Sequence, residues 1–404
     1  MQVKPYSHTA KRFATFVTIF FALSTLCCWA GKKGITLKIS DFISPTLTHS
    51  QSIGKCVRIA ENYAKKTIIF DVPLLKIDSV ILLSSNTTIL LKHCTIQQND
   101  QVFDNVFRGV NVPLSTGAFD EIPEDIAPLQ NIRILGDGKS AILGCERHRM
   151  YNHPLEGWQE MKGDYYGART HLLNFSFVDG IEVAHINFAK TNGWCICFDF
   201  CSHIKAHDLD FQTSVKNGDG IDFRCGCKYF DVKNITGRTS DDIVACTALG
   251  ETTYQPDNKY LFTSSFSRKM WARLKAKDPD ALHIEHGRIK NVISTGTHEK
   301  GWGHAVICLS AYGSQVRHID ILNIREGEGG VEREALVKLY TGYGKGYTPG
   351  DLNHIRVRKV EANTAHIAVK CNTECADMEV QDVKQRDPAK LAVSLKYPKG
   401  FKVK

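Results

Sequence analysis

Ile181-Glu182-Val183-Ala184-His185-Ile186 and Ile204-Lys205-Ala206-His207-Asp208-Leu209 are two copies of one pattern. An apolar residue, two polar-leaning positions and another apolar residue recur, usually after a further alternation. The pattern returns as Phe230-Asp231-Val232-Lys233-Asn234-Ile235, Ile319-Asp320-Ile321-Leu322-Asn323-Ile324, Ile355-Arg356-Val357-Arg358-Lys359-Val360 and Met378-Glu379-Val380-Gln381-Asp382-Val383. A looser copy is Ile289-Lys290-Asn291-Val292. Taking the residue before the last apolar position as a marker, the copies fall at 185, 208, 234, 291, 323, 359 and 382, in steps of 23, 26, 57, 32, 36 and 23. Alternation is the period of a half-buried strand. Short strands with no long helices between them exclude a doubly wound sheet. A sandwich of antiparallel hairpins gives no reason for one pattern to return at this spacing. Stacked coils do, because each coil hydrogen-bonds to the next and like side chains form interior ladders. The expected fold is therefore all-β, a single-stranded parallel β-helix. The step of 57 holds one coil plus a large insertion, or two coils.

Upstream, residues 46–70 hold the expected N-terminal capping helix. Cys56–Ala64 has helical periodicity and would cover the open end of the first coil. Strands are expected at Thr67–Phe70, Val80–Leu83 and Thr88–Leu91, and Asp100–Pro128 reads as a loop. No Pro/Ser-rich linker interrupts the chain, so residues 31–404 read as one domain with an insertion at about 251–283. The 404 residues are 43% hydrophobic and 23% charged, which places the chain among globular proteins.

Lys11 and Arg12 precede an uncharged run from Phe13 to Ala30. A basic start, an apolar centre and a small final residue describe an export signal, residues 1–30. The alternative is a membrane anchor, since 18 residues just span a bilayer. The signal is preferred, because Ala30 suits cleavage and no second span follows. The protein is then exported, with no stable membrane insertion once the signal is removed. Cys27 or Cys28 could carry a lipid, although bulky Leu26 stands where such signals usually have a small residue. Loss of Lys4, Lys11 and Arg12 takes the net charge from +8 to +5. That excess suits an anionic ligand and, without a motif, gives nucleic-acid binding little support. Twelve cysteines remain. Cys195/Cys197 and Cys225/Cys227 are spaced for one face of a strand, and most cysteines are expected buried and free, with one or two bridges at most. Cys371-x-x-x-Cys375 has no partner pair of Cys or His, so no metal or other cofactor is expected.

Three strand entries align when the coils are stacked: Asn217-Gly218-Asp219-Gly220-Ile221-Asp222-Phe223, Ser240-Asp241-Asp242-Ile243-Val244-Ala245-Cys246 and Trp302-Gly303-His304-Ala305-Val306-Ile307-Cys308. In this register Asp219, Asp242 and His304 are equivalent. So are Ile221, Val244 and Val306, and likewise Phe223, Cys246 and Cys308, and these apolar columns should point inward. Coils lie about 4.8 Å apart. Carboxylates stacked at that spacing repel, and at least one should have a raised pKa. A protonated acid beside an ionised base is the equipment for glycoside hydrolysis. The bland reading is turn chemistry before strands. It accounts for any one of these residues and less well for all of them in register.

The order Asn217-x-Asp219, Asp241-Asp242, Gly303-His304 resembles glycoside hydrolase family 28, the polygalacturonase-like right-handed parallel β-helices. Asn217–Phe223, Ser240–Thr247 and Gly303–Gly313 carry the likeness most closely. Ser50–Leu91 and Asn131–Gly138 are similar to early turns of pectinase-like helices. The resemblance implies a right-handed helix and an inverting single displacement. It makes Asp241 the general acid, Asp219 and Asp242 the holders of the attacking water, and His304 the tuner of the acid. The sequence departs from the family at its substrate-gripping Arg-x-Lys motif: Lys338 stands for the lysine, but Leu336 replaces the arginine. Ala305 also stands where the family has Gly.

Other candidate substrate contacts are Trp271 and Arg273 in the insertion, Arg224 after the strand of Asp219, and a loop with Gly157-Trp158, Tyr165-Tyr166 and Arg169. Cations beside aromatics suit an anionic sugar. A solvated basic helix face and ordinary ion pairs are the rival readings. Three functions stay open: a glycosidase acting on a pectin-like or other acidic polysaccharide, a polysaccharide lyase on the same fold, and an inactive carbohydrate-binding β-helix. The protein is expected to act as a monomer.

Overall fold

The structure, a computed structural model, describes residues 33–111, 126–153, 157–163, 167–249, 268–297, 305–330, 333–341 and 348–404. From Leu173 onward, strands alternate along the chain between two parallel sheets. The first sheet stacks, in chain order, Val178–Ala189, Ser202–Gln212, Lys228–Thr239, Ile284–Thr297, Val316–Glu326, Leu352–Ala362 and Cys375–Gln385. Each of the seven sequence copies falls inside one of these strands. The second sheet, of shorter strands, runs Ile81–Leu83, Phe107–Gly109, Leu173–Ser176, Ile196–Asp199, Ile221–Phe223, Val244–Leu249, Ile307–Tyr312, Ala335–Tyr340, Ile367–Cys371 and Leu391–Leu395. Each of these coils adds one strand to each sheet, and the fold is a right-handed parallel β-helix. Lys228–Thr239 pairs directly with Ile284–Thr297, so the step of 57 is one coil plus an insertion.

The marker residues turn out to be a corner of the helix. His185, Asp208, Asn234, Asn291, Asn323, Lys359 and Asp382 all adopt left-handed backbone, with φ between 54° and 59°. That conformation costs most L-residues roughly 1–2 kcal/mol and is taken most readily by Asn, Asp and His among side-chain-bearing residues. From Asn234 to Asn323 the cost is offset by a side-chain ladder. Asn291 donates to Asn234 at 3.0 Å, and Asn323 donates to Asn291 at 2.9 Å.

Inside, Ile181, Ile204, Phe230, Ile319, Ile355 and Met378 share a column, because their strands pair in that register. Gly287 completes the column, since a Cβ there would meet the Phe230 ring at 2.0 Å. Each such buried side chain contributes about 1.5–3 kcal/mol.

Several local expectations shift. The upstream helix is His49–Ala60, earlier than Cys56–Ala64, because a capping box between Thr48 and Gln51 starts it. Its Ile53, Cys56 and Ala60 join the core. Strands Lys66–Phe70, Ile81–Leu83 and Thr87–Leu91 match the reading, but Phe107–Gly109 is a strand inside the stretch read as loop. The twelve described cysteines are all buried, and none forms a disulfide. Cys195 faces the core whereas Cys197 opposes Asp222 on the outer face. Cys227 is likewise in the core while Cys225 packs with Met270 and Leu282. Neither pair shares one face: Cys195 and Cys197 straddle the start of Ile196–Asp199, and Cys225 and Cys227 lie in the corner between Phe223 and Lys228.

Candidate active site

The corner that leads into the short-strand sheet sets the site. Leu172 N donates to Trp194 O, Cys195 N to Asp219 O at 2.9 Å, and Gly220 N to Asp242 O at 3.0 Å. These bonds put His171, Trp194, Asp219 and Asp242 at equivalent points of successive coils. The turn around Asp219 is tight. A Cβ on Gly218 would meet Ser240 Oγ at 2.3 Å, and one on Gly220 would meet the Ile243 carbonyl at 2.5 Å. Asn217 takes the left-handed conformation with φ 54°. The flanking residue types therefore follow from how closely the next coil approaches.

One oxygen from each of Asp219, Asp241 and Asp242 lies within 4.8 Å of the others, and the three residues are only 5–7% exposed. Burial, and then the charge of Asp241, push the Asp242 carboxyl up to about 7. Arg333, the amide of Ala305 and the thiol of Cys308 oppose that rise.

Arg333 was not anticipated. It is 1% exposed, and its guanidinium bonds to backbone around the trio. Nη1 donates to Asp241 O at 2.6 Å and to Ala305 O; Nη2 donates to Thr239 O and to Thr239 Oγ1, at 2.9 and 2.7 Å. Its charge is thus held beside three carboxylates by donors spent on three carbonyls and a hydroxyl. Burial lowers its own pKa, and Asp242, Asp241 and Asp219 raise it in turn.

The register past Asp242 differs by one residue from the expectation. Val244 pairs with Ile307 and Cys246 with Leu309. Ala305 stands opposite Asp242 and donates its N–H to Asp242 Oδ1 at 2.8 Å. Ile221, Phe223, Val244, Cys246 and Val306 lie in the core as expected. Cys308 does not: it opposes Ala245 on the outer face and packs with Ala245, Ala305 and Tyr340. His304 lies outside the described residues.

The outer face of the same sheet carries cations on both sides of the trio. Upstream, Arg108 and Arg169 share Asp104, at 2.6 and 2.9 Å. Arg224 faces outward with its Cζ 5.1 Å from the Trp194 ring, and Trp194 stacks on His171 at 4.6 Å. Asp199, 1% exposed, is raised to about 7 by burial although Arg224 opposes the shift. Downstream, Lys338 opposes Cys308, pairs with Glu334 at 2.5 Å and lies 4.6 Å from the Tyr340 ring centre. Lys370 on the next coil binds the same Glu334. Two cations thus share one acid at each end.

The insertion is described from Arg268, as a helix Arg268–Lys277 with Arg273 exposed on it. Met270 and Leu274 pack with Cys225, Phe177 and Phe200, at the corner that follows the short strands. The trio sits at the corner that precedes them. The side chain of Trp271, and Tyr165 and Tyr166, fall outside the described set. Trp158 is 68% exposed in the antiparallel ribbon Met150–His153/Gly157–Glu160.

No family model matches the sequence, and no curated protein matches it. Solved structures do match in fold. An exopolygalacturonase from Thermotoga maritima aligns over 89% of this chain and 88% of its own, with 14% identity and a TM-score of 0.53. A polygalacturonase from Erwinia carotovora covers 93% and 97%, with 13% identity and a TM-score of 0.51. A galactohydrolase of a sulfated galactose and 3,6-anhydrogalactose substrate covers 91% and 92%, with 8% identity and a TM-score of 0.56. Likeness at this identity is likeness of fold. Among the described residues, no helix is long and apolar enough to cross a membrane.

Proposed function

We propose that the protein is an exported glycosidase that hydrolyses an anionic polysaccharide across the short-strand face of the helix. The observation that carries this reading is the buried trio Asp219, Asp241 and Asp242, with one carboxyl raised to about 7 and its neighbours close enough to share a water. Near neutral pH the raised Asp242 carboxyl is protonated beside the charge of Asp241, and the proton passes to Asp241 when substrate binds. Asp241 delivers that proton to the glycosidic oxygen. Asp219 and Asp242 hold the water, the ionised partner taking its proton. His304 tunes the pair. Arg224 with Trp194 upstream, and Lys338 with Tyr340 downstream, hold acidic groups of the polymer away from the trio that would repel them. Arg169 adds to the upstream cations. The glycan hydrolases among the solved structures that share this fold agree with the reading.

Inversion rests on the family resemblance. The trio's oxygens approach more closely than the roughly 6.5–9.5 Å between carboxyls usual for inverting pairs. The anomer released at first turnover, read by proton NMR, decides: an inverted product supports single displacement, and a retained one makes an aspartate the nucleophile.

Asp241→Asn should bind glycan, stay folded and lose about 10²–10⁴-fold in turnover. Asp219→Asn and Asp242→Asn should be comparably severe, and His304→Ala milder. An aryl glycoside whose leaving group needs no proton should recover Asp241→Asn but not Asp219→Asn. Full activity in Asp241→Asn would end the hydrolase reading. A second reading has one observation behind it: three converging carboxylates could hold calcium for a lyase. An unsaturated, ultraviolet-absorbing product that vanishes with chelator would establish it.

A further inference from the structure

A second cluster of chemistry-bearing residues lies on the long-strand sheet, away from the trio. His185 and Asp208 occupy the same left-handed corner on successive coils, with φ 58° and 55°, and His207 immediately precedes Asp208. Asp208 Oδ2 is 2.6 Å from His207 Nδ1 and 3.8 Å from His185 Nδ1. One donor atom from each of the three residues lies within 4.8 Å of the others.

The far sides of two of these groups are held in place. His207 Nε2 is 3.1 Å from Glu182 Oε1, and Glu182 Oε2 accepts from Arg133 Nε at 2.8 Å. Asp208 Oδ1 accepts from Asn234 Nδ2 at 3.0 Å. The following coils carry Asn234, Asn291 and Asn323 at this corner, joined amide to amide. The chain of amides stops at Asp208, which as a carboxylate has no proton to pass on to the coil of His185. An Asn at each position would have continued the ladder. Instead two groups that ligate metals stand there, with a third beside them.

We propose that His185, His207 and Asp208 bind one divalent cation of the zinc class and so tie two coils together where the amide ladder ends. Two imidazoles and a carboxylate are a donor set that zinc takes, at about 2.0–2.2 Å per bond. Two donors on one ion are then at most about 4.4 Å apart. The separations from Asp208 meet that limit, and a small rotation of the half-exposed His185 ring serves the remaining pair. Glu182 behind His207 is the carboxylate that orients a ligating imidazole and fixes which nitrogen faces the metal. The outer positions of the ion are left to water. Sequence spacing gives no hint of this site, since a turn of the helix, not a short loop, brings residue 185 to 207.

The protein, stripped with chelator and with its thiols reduced, is titrated with zinc chloride by calorimetry and with cobalt(II) by visible absorption. One equivalent should bind, with d–d bands and no thiolate charge-transfer band. His185→Asn, which offers the ladder an amide, and Asp208→Asn should each weaken binding at least 10-fold while keeping the circular dichroism spectrum of the parent. Zinc should raise the melting temperature of the parent and not of the variants. The proposal is overturned if the parent binds no zinc, if His185→Asn binds with unchanged stoichiometry and affinity, or if the cobalt spectrum shows thiolate ligation. A binding isotherm lost in Asp219→Asn but kept in His185→Asn would place the ion on the acidic trio and overturn it equally.

Discussion

Replacing Asp242 with Asn should stabilise the protein at neutral pH while destroying its proposed activity. The folded carboxyl is raised from 3.8 to about 7, chiefly by burial. Each tenfold change in proton affinity is worth about 1.36 kcal/mol, so this rise corresponds to about 4 kcal/mol. The folded state binds this proton more tightly than the unfolded chain does. Below about pH 4 both states are protonated and the residue carries no penalty. As pH rises toward 7 the unfolded carboxyl ionises freely and the folded one does not, so stability drains away; above about 7 the whole penalty is present. Asn is nearly isosteric, stays neutral and keeps an oxygen for the Ala305 amide. Arg333 would lose one of three opposing charges, which reduces the gain without reversing it, because Asp219 and Asp241 remain. The expected result is a gain near zero at about pH 4 that grows to a few kcal/mol at about pH 8. Urea midpoints and melting temperatures of both proteins across that range measure it. Solenoids can unfold in segments, so amide exchange in Val244–Leu249 gives the local version. A variant less stable than the parent at the alkaline end, or a difference that is flat with pH, would refute this reasoning.

Arg333→Met should cost about 3–5 kcal/mol, because it leaves three carboxylates buried without their cation; a loss under about 1 kcal/mol in urea unfolding would show that the guanidinium is not their counter-charge. The same change should move the alkaline limb of any hydrolysis upward, since Arg333 holds the Asp242 pKa down. At the ladder corner, Asn291→Ala removes two amide hydrogen bonds and places alanine at φ 56°. The expected loss is about 2–3 kcal/mol. Asn291→Gly should lose less, because glycine accepts that φ freely; equal losses would mean that the conformation contributes nothing.

The repeat was legible because a left-handed corner interrupts alternation. A non-apolar residue, most often Asn or Asp, recurs at the marker position, where the chain turns with φ between 54° and 59°. One face of each long strand is solvated, so the period of two survives in the sequence. The short strands lack that protection. Ile307–Tyr312 is buried at all six positions, and Ala335–Tyr340 at five of six. A strand covered on both faces reads as a continuous apolar run whose phase cannot be set by alternation, and there the register slipped by one. With Ala305, not His304, opposite Asp242, Cys308 moves from the core to the acid's own face. Arg333 was hidden for a different reason: an arginine before a strand reads as surface, and only the stacking of coils reveals that its donors end on Asp241 and Thr239. The acids stood out because they fall in register on successive coils, although any one of them alone would pass for a turn residue. Their neighbours in the same column, His171 and Trp194, were missed because imidazole and indole are ordinary core residues until the column is known. What separated the sequence from the site was therefore register, and each backbone bond across that corner, from Leu172 to Val306, converts a residue type into a position beside the acids.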